Sequence, residues 1–209
     1  MILLNAGAPG WSLVAHAGVA GTTAAFTVTP ALNTTGANLV VAVSGFYSGA
    51  SPSAFSDSKG NVWTGVIGPL AGASSCTHVV SFAIAPVVGS GHTFTISGTG
   101  SSYAGLVVAA FKNSLTLSLD QVNSNANATQ AGAITPSSAN QLIVATFAQT
   151  VAAVPVTIGS SFIITDNIVA VGATTYGATA AYLFQAAAAA VNPAWSETGP
   201  CGLISFKAS

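Results

Sequence analysis

The feature that most restricts this chain is a two-residue rhythm of apolar and β-branched side chains. It is renewed almost from end to end and cut by clusters of Gly, Pro, Ser, Asn and Asp. Strands are expected at Ser12–His16, Ala24–Thr29, Asn38–Phe46, Val62–Val66, His78–Ile84, Thr93–Ser97 and Leu106–Phe111. A second series is expected at Leu117–Val122, Gln141–Phe147, Val154–Ile158, Phe162–Thr165, Ala178–Phe184 and Leu203–Phe206. Between them, Gly49-Ala50-Ser51-Pro52, Asp57-Ser58-Lys59-Gly60-Asn61 and Gly98-Thr99-Gly100-Ser101-Ser102 read as turns. Such spacing predicts an all-β fold, a single two-sheet β-sandwich of jelly-roll-like type over residues 11–209. Gln185–Val191 is alanine-rich but short and stops at Asn192-Pro193, so it reads as a loop or a single turn.

The strand pattern is stated twice. GANLVVAVSGFY at 36–47 returns as SANQLIVATFAQ at 138–149. HVVSFAIAPVVGSGHTFTISG from His78 has its counterpart in TAAYLFQAAAAAVNPAWSETG from Thr179, and GLVVAAFKN from Gly105 in GLISFKAS from Gly202. The echo covers 36–112 and 138–208 in one order, a pseudo-duplicated strand pattern. Neither half has the apolar mass to bury a face alone, so both are expected in one domain.

Charge is scarce. Three lysines (59, 112, 207), three aspartates (57, 120, 166) and Glu197 are the only fully charged side chains, and there is no arginine. A chain of this length would ordinarily carry about fifty. Too few cations remain to neutralise nucleic-acid phosphates, and the Glu/Lys pairs of coiled coils are missing. Mean hydropathy is +0.68, yet no run of about 20 apolar residues is uninterrupted, so no membrane partner is expected. The most apolar window, Val169–Val191, is broken by Thr174, Thr175, Gly177, Thr179 and Gln185. The start lacks the basic and long apolar regions of a secretory signal.

No catalytic or metal constellation emerges, and no cofactor is expected. The chain is read as a non-enzyme. Asp57 opens a tight turn, Asp166-Asn167 is assigned the same role in the second half, and Glu197 is expected to be solvated. His16, His78 and His92 share no metal-binding spacing and read as strand residues with satisfied rings. Cys76 and Cys201 are read as two buried thiols or one disulfide. Trp11, Trp63, Trp195, Tyr47, Tyr103, Tyr176 and Tyr182 divide between core and a sugar-stacking platform.

Taken together, Ser56-Asp57-Ser58-Lys59-Gly60-Asn61-Val62-Trp63-Thr64, the ANLVV strand, VGSGHTFT and the closing Phe-Lys strands resemble a known group. It comprises β-sandwich structural proteins encoded by tailed bacteriophages and related bacterial genomes. The resemblance spans roughly residues 11 to 208 and carries no catalytic residue. It implies a virion structural protein, assembled in the host cytoplasm, in the role of a capsid decoration or cement protein. The implied partners are the major capsid protein or other virion proteins. Scarce charge adds the expectation of a homo-oligomer, since a subunit buried against neighbours has few charges to desolvate. The alternative is a carbohydrate- or receptor-binding module of a tail or head fibre, with a host glycan as partner. Residues 1–10 read as an apolar N-terminal arm, and Ile2, Leu3, Leu4 and Trp11 are the expected partner contacts.

Overall fold

The computed structural model describes residues 10–21, 26–47, 51–72, 75–99, 103–149, 154–169 and 176–209. The chain is all-β. It forms β1 (Ser12–Ala20), β2 (Phe26–Val28), β3 (Leu39–Tyr47), β4 (Ser51–Asp57), β5 (Thr64–Ala71), β6 (Cys76–Ile84) and β7 (Phe94–Thr99). These continue into β8 (Gly105–Lys112), β9 (Leu117–Ala128), β10 (Gln141–Gln149), β11 (Ile163–Ile168), β12 (Gly177–Gln185) and β13 (Gly199–Ala208). The strands make three antiparallel sheets. The first has order β1-β8-β3-β6-β5, the second β11-β12-β10-β13-β9, and a small third sheet β2-β7-β4.

Three sheets replace the expected two for a reason visible in the central strands. β3, β8, β10 and β13 are buried along nearly their whole length, on both faces. A strand buried on both faces is a continuous apolar run, not an alternating one, and needs cover on each side. One face of each five-stranded sheet meets the other sheet around Leu39, Val41, Phe82, Phe111, Leu142, Tyr182 and Phe206. Behind the first sheet the small sheet closes a second core with Val40, Phe46, Phe55, Phe94 and Leu106. Behind the second, loops bearing Ile134, Val156, Phe162 and Trp195 close a third over Ile143, Phe147 and Leu203.

The duplication is carried by register. Leu39 lies opposite Ile84 on one side and Phe111 on the other; Leu142 lies opposite Phe184 and Phe206 in the same way. Val41 faces Phe82 as Val144 faces Tyr182. At the outer strands, Ser12–Lys112 and Leu13–Phe111 recur as Ser118–Lys207 and Leu119–Phe206. Leu39 therefore corresponds to Leu142. Matching 36–47 to 138–149 letter by letter sets it on Gln141 instead, and a one-residue slip turns every side chain to the opposite face. The sheets also meet with two-fold logic: β1 touches β11 as β9 touches β5, and β3 touches β12 as β10 touches β6.

Several local expectations change. Ser51-Pro52 was expected to lie in a turn and no strand was expected over 53–56; β4 is an edge strand there, where Pro is tolerated. Val154–Ile158 forms no strand, only the isolated bridge from Ile158 to Trp195. Asp57–Asn61 is not a hairpin within one sheet, since it carries the chain from the small sheet to the first sheet. Asp166 lies inside β11, beside a bulge after Ile164, and is not a turn residue.

Candidate functional site

The two segments that carry most of the motif resemblance meet in space. The Asp57 carboxylate accepts the Lys59 N–H at 2.8 Å, the Asn61 N–H at 3.4 Å and Asn61 Nδ2 at 3.2 Å. Its other oxygen accepts the Trp63 indole N–H at 2.8 Å. From the far segment His92 Nε2 approaches Asp57 Oδ1 to 3.2 Å, both side chains being sealed from solvent. That approach is close but is not an aligned hydrogen bond. His92 Nδ1 faces Thr34 Oγ1 at 2.9 Å, and its ring stacks on Phe94 with centroids 4.1 Å apart. Burial alone would raise the Asp57 pKa. The bonds from Lys59, Trp63 and Asn61, with the close approach of His92, outweigh it and hold the carboxyl below its usual value.

Hydroxyl, imidazole and carboxylate in a row have the composition of a nucleophilic relay. This one offers no approach to a substrate. Thr34 and His92 are both 0% exposed, and Thr34 Oγ1 is held between the Gly89 carbonyl at 3.2 Å and the Gly89 N–H at 3.1 Å. The trio clasps three loops together. Ser58 and Thr93 reinforce it through the Ser58 N–H to the Thr93 carbonyl, 3.0 Å, and the Thr93 N–H to Ser58 Oγ, 3.0 Å.

The clasp mounts an apolar surface. The Asn61 side chain pairs with the backbone of Val87, accepting its N–H at 2.6 Å and donating to its carbonyl at 3.0 Å. Val87 itself and Val62, next to Asn61, are 62% and 87% exposed, the two most exposed large apolar side chains among the described residues. The alternation put Val62 at the head of an expected strand, Val62–Val66, whereas β5 begins at Thr64 and leaves Val62 outside it. Its signal is contextual: an apolar residue between Asn61 and Trp63, both committed to the clasp, has nowhere inward to go.

The remaining expected contacts fall elsewhere. Ile2, Leu3 and Leu4 lie outside the described residues. Trp11 belongs to the central core at 5% exposure, its indole N–H donating to the Asn140 carbonyl at 3.0 Å, so it presents almost nothing to a partner. Cys76 and Cys201 are free and buried. Cys201 belongs to the core behind the second sheet, and burial pushes the thiols up to about 12 and about 11 respectively. His16 pairs with Asp166 at 2.8 Å across the β1–β11 flank. Asp120 is taken up by the Ser137 N–H at 2.8 Å, the Ser137 and Ser205 hydroxyls and, at 3.8 Å, Lys207. Among the described residues no three His, Cys, Asp or Glu side chains gather as metal ligands.

No family model matches the chain, and no curated protein matches it. Among solved structures, the crystal structure of PBSX exported protein XepA aligns over 97% of this chain and 87% of that one, at 9% identity and a TM-score of 0.28. A likeness that weak carries no argument about fold or role. The bacteriophage resemblance rests on its motifs alone.

Proposed function

We propose that the chain is a virion structural protein, a capsid decoration component that seats on neighbouring coat subunits through uncharged surface, with Val62 and Val87 at the contact. The observation that carries this reading is that the two most exposed large apolar side chains among the described residues are mounted on the buried clasp. A rigid mount removes most of the ordering cost of binding, so burying each valine is worth roughly 1.5 kcal/mol with little subtracted. Scarce charge supports the same reading, because few ions must be desolvated when the surface is covered. The apolar residues Ile2, Leu3 and Leu4 are assigned to a second contact with a neighbouring subunit, which makes the protein an oligomer on the particle.

Quantitative mass spectrometry of particles purified from a culture encoding the chain tests this. A copy number comparable with that of the major capsid protein is the expected result. A handful of copies per particle would point instead to a fibre component, and absence from the particle would overturn the proposal.

A further inference from the structure

The fold sorts the seven aromatic candidates into two groups. Trp11, Trp195 and Tyr182 are buried at 5%, 3% and 9% exposure, and Trp63 packs against Phe55 and Phe94. Tyr47, Tyr103 and Tyr176 collect elsewhere, at the pole where β3 and β10 end and β6, β8 and β12 begin. Tyr47, on the first sheet, is 41% exposed, and its ring centroid lies 6.0 Å from that of Tyr176, at 40°, just before β12 of the second sheet. The Tyr176 N–H donates to the Tyr103 carbonyl at 3.1 Å, tying in the third.

The base under these rings is closely packed. A Cβ on Gly105 would stand 2.5 Å from the Tyr176 carbonyl oxygen and 2.8 Å from the Ala178 nitrogen, and one on Gly45 would collide with the Gly177 carbonyl. The two sheets touch backbone to backbone there, directly under the ring pair. The lysines lie away from it. Lys112 and Lys207 pair with Ser12 and Ser118 at the opposite ends of their strands, and Lys59 follows the far end of β4.

We propose that the Tyr47–Tyr176 ring pair, with the Tyr103 backbone beside it, forms a stacking platform for an uncharged sugar. Tilted phenol rings offer flat apolar faces to the C–H face of a pyranose, and their hydroxyls reach its edge. With no lysine beside the rings, an anionic ligand gains no pairing from the described side chains. This site is independent of the valine surface, so either can fail without the other.

Affinity electrophoresis through gels carrying dextran, yeast mannan, soluble starch or a soluble mixed-linkage β-glucan tests the platform. At least one of these should retard the wild-type chain. Tyr47→Ala and Tyr176→Ala should weaken that binding by about tenfold or more, whereas Tyr47→Phe, which keeps the ring face, stays within roughly threefold. Leu115→Ala, at the opposite pole, should bind as wild type. Tyr47 is half in solvent at a strand end, so an unchanged melting midpoint is expected of its variants. Failure of all four polysaccharides to retard the chain would overturn the proposal, as would undiminished binding by Tyr47→Ala. Retardation by heparin or alginate alone, or binding of the Tyr pole to a protein alone, would overturn it equally.

Discussion

His78 holds the two five-stranded sheets together at a single point. Its Nδ1 faces the Ser44 carbonyl at 3.1 Å and its Nε2 the Thr146 hydroxyl at 2.9 Å, so a neutral ring donating to Ser44 is left to accept from Thr146. Burial, only partly offset by the Ser44 bond, lowers its pKa from 6.5 to about 4. A base depressed in the folded state stabilises fully above its unfolded pKa, and that stability is lost as pH falls from 6.5 toward 4. Denaturant titrations should therefore show about 3 kcal/mol of loss in this window, and His78→Gln should flatten it. Asp57 acts at lower pH. Its depressed carboxyl stabilises above 3.8 and stops doing so as pH drops through the folded value. Asp57→Ala leaves the Lys59, Asn61 and Trp63 donors without their acceptor, and should cost about 2–4 kcal/mol at neutral pH. The same titrations check it, and the gap to wild type should narrow below pH 3.8. Cys76 and Cys201, buried and with raised pKa values, should stay unalkylated until the chain is unfolded.

At the scale of elements, Gly60 occupies φ +74 in the turn between β4 and β5. Gly60→Val should cost about 1 kcal/mol or more in thermal or chemical unfolding. That positive φ was legible, because Asp followed by Gly and Asn is turn chemistry. Asp57 as the turn's acceptor was legible for the same reason, but His92 as its partner was not, since 35 residues separate them and no local rule links them. Strand positions were legible where alternation or β-branching was strong, as at β6 and β12. β4 was lost behind Pro52, whose signal means turn in most contexts and edge strand in this one. The continuous runs of β3, β8 and β10 were read as alternating, and that concealed the third layer. Asp166 was misplaced because the echo carries order and not register. The pinch at Gly105 gives the sharper test of the packing: Gly105→Ala forces a methyl into the backbone of Tyr176 and Ala178 and should cost about 2–4 kcal/mol.

For the whole molecule, two copies of one five-strand order face each other, yet their outer covers differ. The first half receives a small sheet and the clasp; the second receives loops joined by single bridges such as Ile134–Val191. Among the described residues the valine mount occurs on the first half only, so the proposed contact would use one side of a near-symmetric body. Incorporation into particles measures its role most directly. Purified chain is added to particles from a host strain deleted for the gene, and bound protein is quantified after sedimentation. The account predicts that wild type and Leu115→Asp, whose Leu115 lies at the pole away from Gly105, saturate the particles equally. The Val62→Asp/Val87→Asp double variant, altered only at exposed positions and melting as wild type, should remain in the supernatant. Saturation by the double variant at wild-type affinity would contradict the account.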